Sequence, residues 1–247
     1  MSNKVNCTFF ENIKWKEQDS FECSKDTIYI WRVKIAAGIS QTDNLLSLLN
    51  ADELKRADRY YNEKDRKRFI TSRGYLRILL SNYLKKKPSD IEFAITPEKK
   101  PYLKLPFNSL HYNISHSETD VLIAIAGSEV GIDVEKTDSS FDWENILDTS
   151  FSKDEIVWVK QSKMPKDSFY LLWTRKEALA KATGKGLLDD LTVYPSLEGI
   201  HNLKSSELFT SSWQVGSFKL DNCNIGSVAC YPSITDHQFL NINPENF

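Results

Sequence analysis

The sequence predicts an α+β protein on three observations: an alternating β-branched and aromatic run near its start, two long stretches with helical apolar spacing, and several short strand-like runs. Thr27 to Ile35 alternates and predicts a strand, and Asp43 to Leu49 opens a helical pattern. Ala51 to Leu84 contains no proline, and Phe69, Tyr75, Leu76, Leu79, Leu80, Tyr83 and Leu84 recur at three and four, predicting one long amphipathic helix. Strands are expected at 91–95 and 111–114, separated by the loop Thr96-Pro97-Glu98-Lys99-Lys100-Pro101. Val121 to Ala126 and Val130 to Glu135 flank Gly127-Ser128 and predict a hairpin. Residues 143–149 and 152–161 are expected to be helical, and 168–183 forms a second long helix closed by Gly184 and Gly186. Strand-like runs follow between 190 and 233, and the tail beyond Pro232 is expected to be peripheral.

The chain has 247 residues, 40% hydrophobic and 12% aromatic, enough for one large domain or two packed halves. Collagen-like, disordered and repeat architectures are excluded. Cys7, Cys23, Cys223 and Cys230 form no CxxC pair, so neither a zinc site nor a disulfide framework is signalled, and a cytoplasmic location is expected. No apolar run suits a membrane span, and no signal-peptide core follows Met1, so no membrane partner is expected. Net charge is −2, yet residues 52–104 carry 15 basic against 8 acidic side chains. That segment suits an anionic ligand or, equally on composition, a solvated mixed-charge surface.

Three clusters can carry chemistry. Asp133 and Glu135 project to one side of the predicted strand about 6–7 Å apart. At an effective dielectric near 20 their repulsion is about 3 kcal/mol, which a hard divalent cation such as Mg²⁺ or Mn²⁺ would relieve. A plain acidic strand face remains the alternative. Gly131 beside them would let a bulky ligand approach the backbone. On the second long helix, Phe169, Leu172, Trp173, Lys176, Ala180 and Thr183 form one stripe with Glu177 at its margin and Lys181 a turn later. Either Lys176 snorkels and Glu177 pairs with Lys181, or these charges serve a site. Asn113-Ile114-Ser115-His116-Ser117 follows a strand with an amide, hydroxyls and an imidazole. No glycine-rich phosphate loop, GxSxG elbow or HExxH helix occurs, so an anion must be held by side chains.

These clusters, in order and spacing, resemble the Sfp-type 4′-phosphopantetheinyl transferases. Gly131-Ile132-Asp133-Val134-Glu135 is similar to the family signature G-[IV]-D-[IV]-E, and Trp173 through Lys181 (WTRKEALAK) to W-[ST]-x-K-E-[AS]-x-x-K. Asn113 through Ser117 resembles N-[IF]-S-H-S, and Lys100-Pro101 resembles a G-K-P loop in which Lys99 stands in place of glycine. Asp65 to Phe69 and Arg73 to Arg77 resemble the basic helix of cyanobacterial members.

The resemblance implies an enzyme that transfers the phosphopantetheine arm of coenzyme A (CoA) to a serine of an apo acyl or peptidyl carrier protein, releasing adenosine 3′,5′-bisphosphate. It implies two similar halves related by a pseudo-two-fold, residues 1–129 and 130–247, each a small, mostly antiparallel sheet on a long helix. The active site lies in the cleft between them. Asp133, Glu135 and Glu177 would hold Mg²⁺, with Mn²⁺ as a substitute. Glu177 would be the general base, Lys181 would steady the pyrophosphate or the leaving group, and His116 with Ser115 would contact the 3′-phosphate or ribose. Lys100, Arg56 and Arg73 would take the remaining phosphates. The first half would hold the CoA phosphates, and the second the metal and the docked carrier. A monomer is expected. The rival readings are a nucleic-acid binder using 52–104, against which the overall charge and the lack of aromatic-basic interleaving count, and a non-catalytic CoA binder.

Overall fold

A computed structural model describes residues 3–17, 20–137, 140–186, 190–203 and 209–243. Eleven strands appear in it: β1 (Lys4–Phe9), β2 (Thr27–Lys34), β3 (Phe93–Ile95), β4 (Pro101–Leu103), β5 (His111–His116), β6 (Asp120–Ala126), β7 (Val130–Lys136), β8 (Gly199–Asn202), β9 (Trp213–Lys219), β10 (Asn224–Cys230) and β11 (Asp236–Asn241). The helices are α1 (Ile35–Ile39), α2 (Thr42–Ser47), α3 (Ala51–Ala57), α4 (Glu63–Leu84), α5 (Glu144–Ser150), α6 (Lys153–Gln161) and α7 (Pro165–Thr183).

Two main sheets form, in the orders β11-β2-β6-β5 and β7-β10-β9-β1-β8, with β3-β4 as a separate hairpin. Pairing is antiparallel except β1 with β9 and β11 with β2. Ile28, Ile30, Leu122 and Ala124 of the first sheet pack on Ile132, Val134, Phe218 and Val228 of the second. The outer face of the first sheet, through Trp31, Val33 and Ile123, buries Ile70, Leu76 and Leu79 of α4. Val215 and Ala229, on the outer face of the second, meet Ala178, Leu179 and Ala182 of α7. The layering is therefore helix, sheet, sheet, helix, and it matches the expected α+β architecture. It explains why β6 is apolar throughout rather than alternating: both of its faces are covered, and every one of its residues is buried.

Several sequence expectations change. The 51–84 helix is two helices, because Asn62 caps a new start by accepting from Lys64 N, while Asn50 and Glu53 form a capping box at α3. The chain at Gly127-Ser128 does not close a hairpin. It carries β6 in one sheet over to β7 in the other, where β7 pairs with β10. Nor is the tail peripheral, since β11 lies beside β2 with Phe239 opposite Ile30. The terminal strands thus cross the division at 129/130: β1 joins the sheet of β7, and β11 the sheet of β2. Helix α7 begins at Pro165, three residues before the periodicity shows it, and stops at Gly184 with φ 72°, as the glycine signalled.

Candidate active site

Strands β5 and β7 are the facing edges of the two sheets, and the seam between them gathers two of the sequence clusters. Asn113 Oδ1 accepts from Ile132 N at 3.0 Å, satisfying an edge N–H of β7 and fixing the two strands together. Helix α7 brings the third cluster down on β7. Gly131 makes that possible, because a Cβ there would stand 2.1 Å from Ala178 O and 2.4 Å from Ala182 N. The glycine admits the backbone of α7 rather than a ligand, which corrects the expectation from sequence.

At this junction Asp133, only 3% exposed, accepts at Oδ1 from Ser115 Oγ (2.9 Å) and from Lys181 Nζ (2.6 Å). Its Oδ2 is buried without a hydrogen-bond partner. Glu135 and Glu177 lie half-buried beside it, and burial first, then the charge of Asp133, pushes each carboxyl up to about 7. Burial opposes the charge on Lys181, but Asp133, Glu177 and Glu135 outweigh it and raise its pKa. Lys181 therefore pairs with Asp133 across the helix–strand interface, not with Glu177 along the helix.

The acid cluster adjoins a polar cleft of about 610 Å³ that Arg56, Arg73, Lys99, Ser115, His116 and Lys181 help to line. The guanidinium of Arg56 lies over Phe69, 5.1 Å from the ring centre. Arg73 is paired with Glu53 at 3.1 Å and lies over Phe93. His116 ends β5, and desolvation, followed by the charge of Arg68, lowers its pKa, favouring the neutral imidazole. Glu135 also faces a second cavity of about 450 Å³ lined by Phe141, Phe169, Tyr170 and Trp173. The carboxylates thus sit between a cationic cleft and an aromatic pocket.

Two lysines are placed differently from expectation. Lys100 turns away from the cleft, pairing with Glu129 and donating to Ala182 O at 2.9 Å, and lines a smaller cavity behind the loop. Lys176 does not snorkel: it is fully buried, 3.0 Å from Glu155, and donates to Leu191 O (3.1 Å) and Tyr194 O (2.6 Å). Within the basic run, Arg66 pairs with Asp58, Lys67 with Glu63 and Arg68 with Asp65.

Sequence reasoning gave no role to Asn113 by itself or to Glu129, whose partners lie 18 or more residues away, nor to Glu155, which joins the distant Lys176 and Ser196 but also closes a capping box with Ser152, a local signal at three-residue spacing. Lys99 left a local sign. It occupies the left-handed region at φ 68°, where a residue with a Cβ carries a strain of about 1 kcal/mol and glycine is at ease.

A two-sheet α+β fold with carboxylates and a lysine beside a cationic cleft has the charge arrangement to receive a multiply anionic ligand. The family model for the 4′-phosphopantetheinyl transferase superfamily matches residues 129–230, and the model for the N-terminal region of 4′-phosphopantetheinyl transferases matches 37–129. The chain is 34% identical over 167 residues to the 4′-phosphopantetheinyl transferase HetI of a Nostoc species, covering 66% of this chain and 70% of the relative. It is 32% identical over 172 residues to the 4′-phosphopantetheinyl transferase Sfp of Bacillus subtilis, covering 66% and 75%. The L-aminoadipate-semialdehyde dehydrogenase-phosphopantetheinyl transferase of Schizosaccharomyces pombe is 28% identical over 176 residues, covering 64% and 68%. The chain belongs to the 4′-phosphopantetheinyl transferase superfamily.

Proposed function

We propose that this enzyme moves the 4′-phosphopantetheine arm of CoA onto a serine hydroxyl of an apo acyl or peptidyl carrier protein, with Asp133, Glu135 and Glu177 as the centre of its site. The observation that carries this reading is the meeting of those three acids between a cationic cleft and an aromatic pocket. A ligand with a phosphorylated nucleotide at one end and a long, weakly polar arm at the other would span both.

The donor set fits a hard cation. Asp133 Oδ2 is a buried oxygen without a partner, and Glu135 and Glu177 add only oxygen donors. Among the described residues no three His, Cys, Asp or Glu side chains already stand in a ligating arrangement, and Lys181 supplies the counter-charge to Asp133. Bound Mg²⁺, or Mn²⁺ in its place, would neutralise negative charge on the pyrophosphate.

The serine oxygen attacks the phosphorus nearest the pantetheine. The bridging P–O bond breaks, and adenosine 3′,5′-bisphosphate departs. Glu177, beside Asp133 and Lys181, is the group placed to accept the serine proton, directly or through water. Lys181 is held charged beside the acids and steadies the leaving phosphate, while neutral His116, Ser115, Arg56 and Arg73 line the nucleotide side.

The second half, residues 130–247, would take the carrier protein next to Glu135. One chain supplies both the acids and the cleft, which supports a monomer. The cysteines are free, which suits a cytoplasmic location, and no helix among the described residues is long and apolar enough to cross a membrane. Intact-mass analysis of an apo carrier protein incubated with enzyme, CoA and Mg²⁺ tests the reading. One phosphopantetheine adduct is expected, lost with EDTA or on Glu177→Ala, and its absence from the wild-type reaction rejects it.

A further inference from the structure

We propose that Lys99 is a CoA-binding residue of this enzyme, presenting its ammonium group from the Thr96–Lys100 turn to a phosphate of CoA; the inference rests on the CoA reading above. The cations around the cleft are not equivalent. Arg73 is committed to Glu53, Lys181 to Asp133 and Lys100 to Glu129. Among the described residues, Lys99 and Arg56 line the cleft without an acidic partner, and they come from two different elements.

The turn that carries Lys99 is built to present it. Lys99 N donates to Thr96 O at 2.9 Å, Lys100 N to Thr96 Oγ1 at 3.1 Å, and Thr96 N to Lys100 O at 2.9 Å. Lys100 ties the same turn to the last carbonyls of α7, one residue from Lys181. The loop is thereby anchored to the helix bearing Glu177 and Lys181, and Lys100 acts as its tether while Lys99 faces the cleft. A lysine is kept at φ 68°, a backbone position that glycine would occupy without strain. An unpaired cation on a fixed turn, at the wall of a cleft for a multiply charged anion, accounts for that residue.

The test compares wild type, Lys99→Gly and Lys99→Arg in carrier modification with CoA varied, and in direct calorimetric titration of CoA. For Lys99→Gly, KM and Kd for CoA are expected to rise about 5- to 20-fold, with kcat within about twofold. The melting temperature should not fall, because glycine suits the turn. Lys99→Arg should restore binding, and about 0.5 M salt should shrink the difference. If the loss persists with dephospho-CoA, the lysine meets the pyrophosphate; if it vanishes, the 3′-phosphate. An unchanged Kd, or a lower kcat together with a lower melting temperature, overturns the proposal. Should the wild type bind CoA without modifying any carrier, the transferase reading fails, while the titrations still judge Lys99.

Discussion

Lys181 Nζ lies 2.6 Å from Asp133 Oδ1, so the cation of helix α7 is fastened to the acid of strand β7 that also holds Ser115. Together these two contacts join all three sequence clusters. They leave the second oxygen of Asp133 as the partnerless group at the centre of the site.

Removing either end of this contact should stop catalysis by different routes. Asp133→Asn and Lys181→Ala are each expected to lower kcat about 10²- to 10³-fold in carrier modification. Asp133→Asn should also abolish Mg²⁺ binding measured by calorimetry, whereas Lys181→Ala should retain it. Retained metal affinity in Asp133→Asn would remove that residue from the ligand set.

The acid pair sets a pH dependence whose sign follows from its direction. Carboxyls raised to about 7 in the folded state stabilise it fully below their unfolded values near 4.5, and that contribution fades as pH climbs through 7. Metal-free protein should therefore lose on the order of 2–3 kcal/mol per carboxyl, about 5 kcal/mol for the pair, between pH 5 and 8. Mg²⁺ affinity should run the other way, rising roughly 10- to 100-fold from pH 6 to 8 as two protons leave. Thermal melts with and without Mg²⁺ measure both trends, and the double variant Glu135→Gln/Glu177→Gln should flatten them.

Adjacent residues Lys176 and Glu177 should respond in opposite ways. Lys176→Met leaves Glu155 buried without its cation and is expected to cost about 3–5 kcal/mol in denaturant unfolding. Glu177→Gln, at a half-buried position, should leave stability near wild type while abolishing transfer. A stable Lys176→Met protein would show that Glu155 is satisfied by Ser152 and Ser196 without the cation.

Gly131→Ala should be among the most damaging small substitutions. The new Cβ meets helix backbone at 2.1 and 2.4 Å, which no side-chain rotation can relieve. Moving α7 off β7 separates Lys181 from Asp133, so both melting temperature and activity are expected to fall. Activity retained at wild-type stability would show that the helix can shift without cost.

How much was legible in the sequence differs from cluster to cluster. Asp133 and Glu135 share a face because strand side chains alternate, and Glu177 and Lys181 share one because a helical turn spans about four residues. Those spacings are local and survive in any fold that keeps the elements. Lys100 and Lys176 were misplaced because their partners, Glu129 and Glu155, lie 29 and 21 residues away in sequence, where no periodicity reaches.

The chain alone determined most of the central elements, the acid and lysine spacings and the family resemblance, since each depends on residues within a few turns of one another, but not the break at Asn62 or the terminal strands β1 and β11. Tertiary structure decided which edges face each other, which cations are spent on internal partners, and that the terminal strands cross between sheets. The physical reason is that pairing energies and desolvation belong to contacts between distant segments, and these exist only once β5, β7 and α7 have packed.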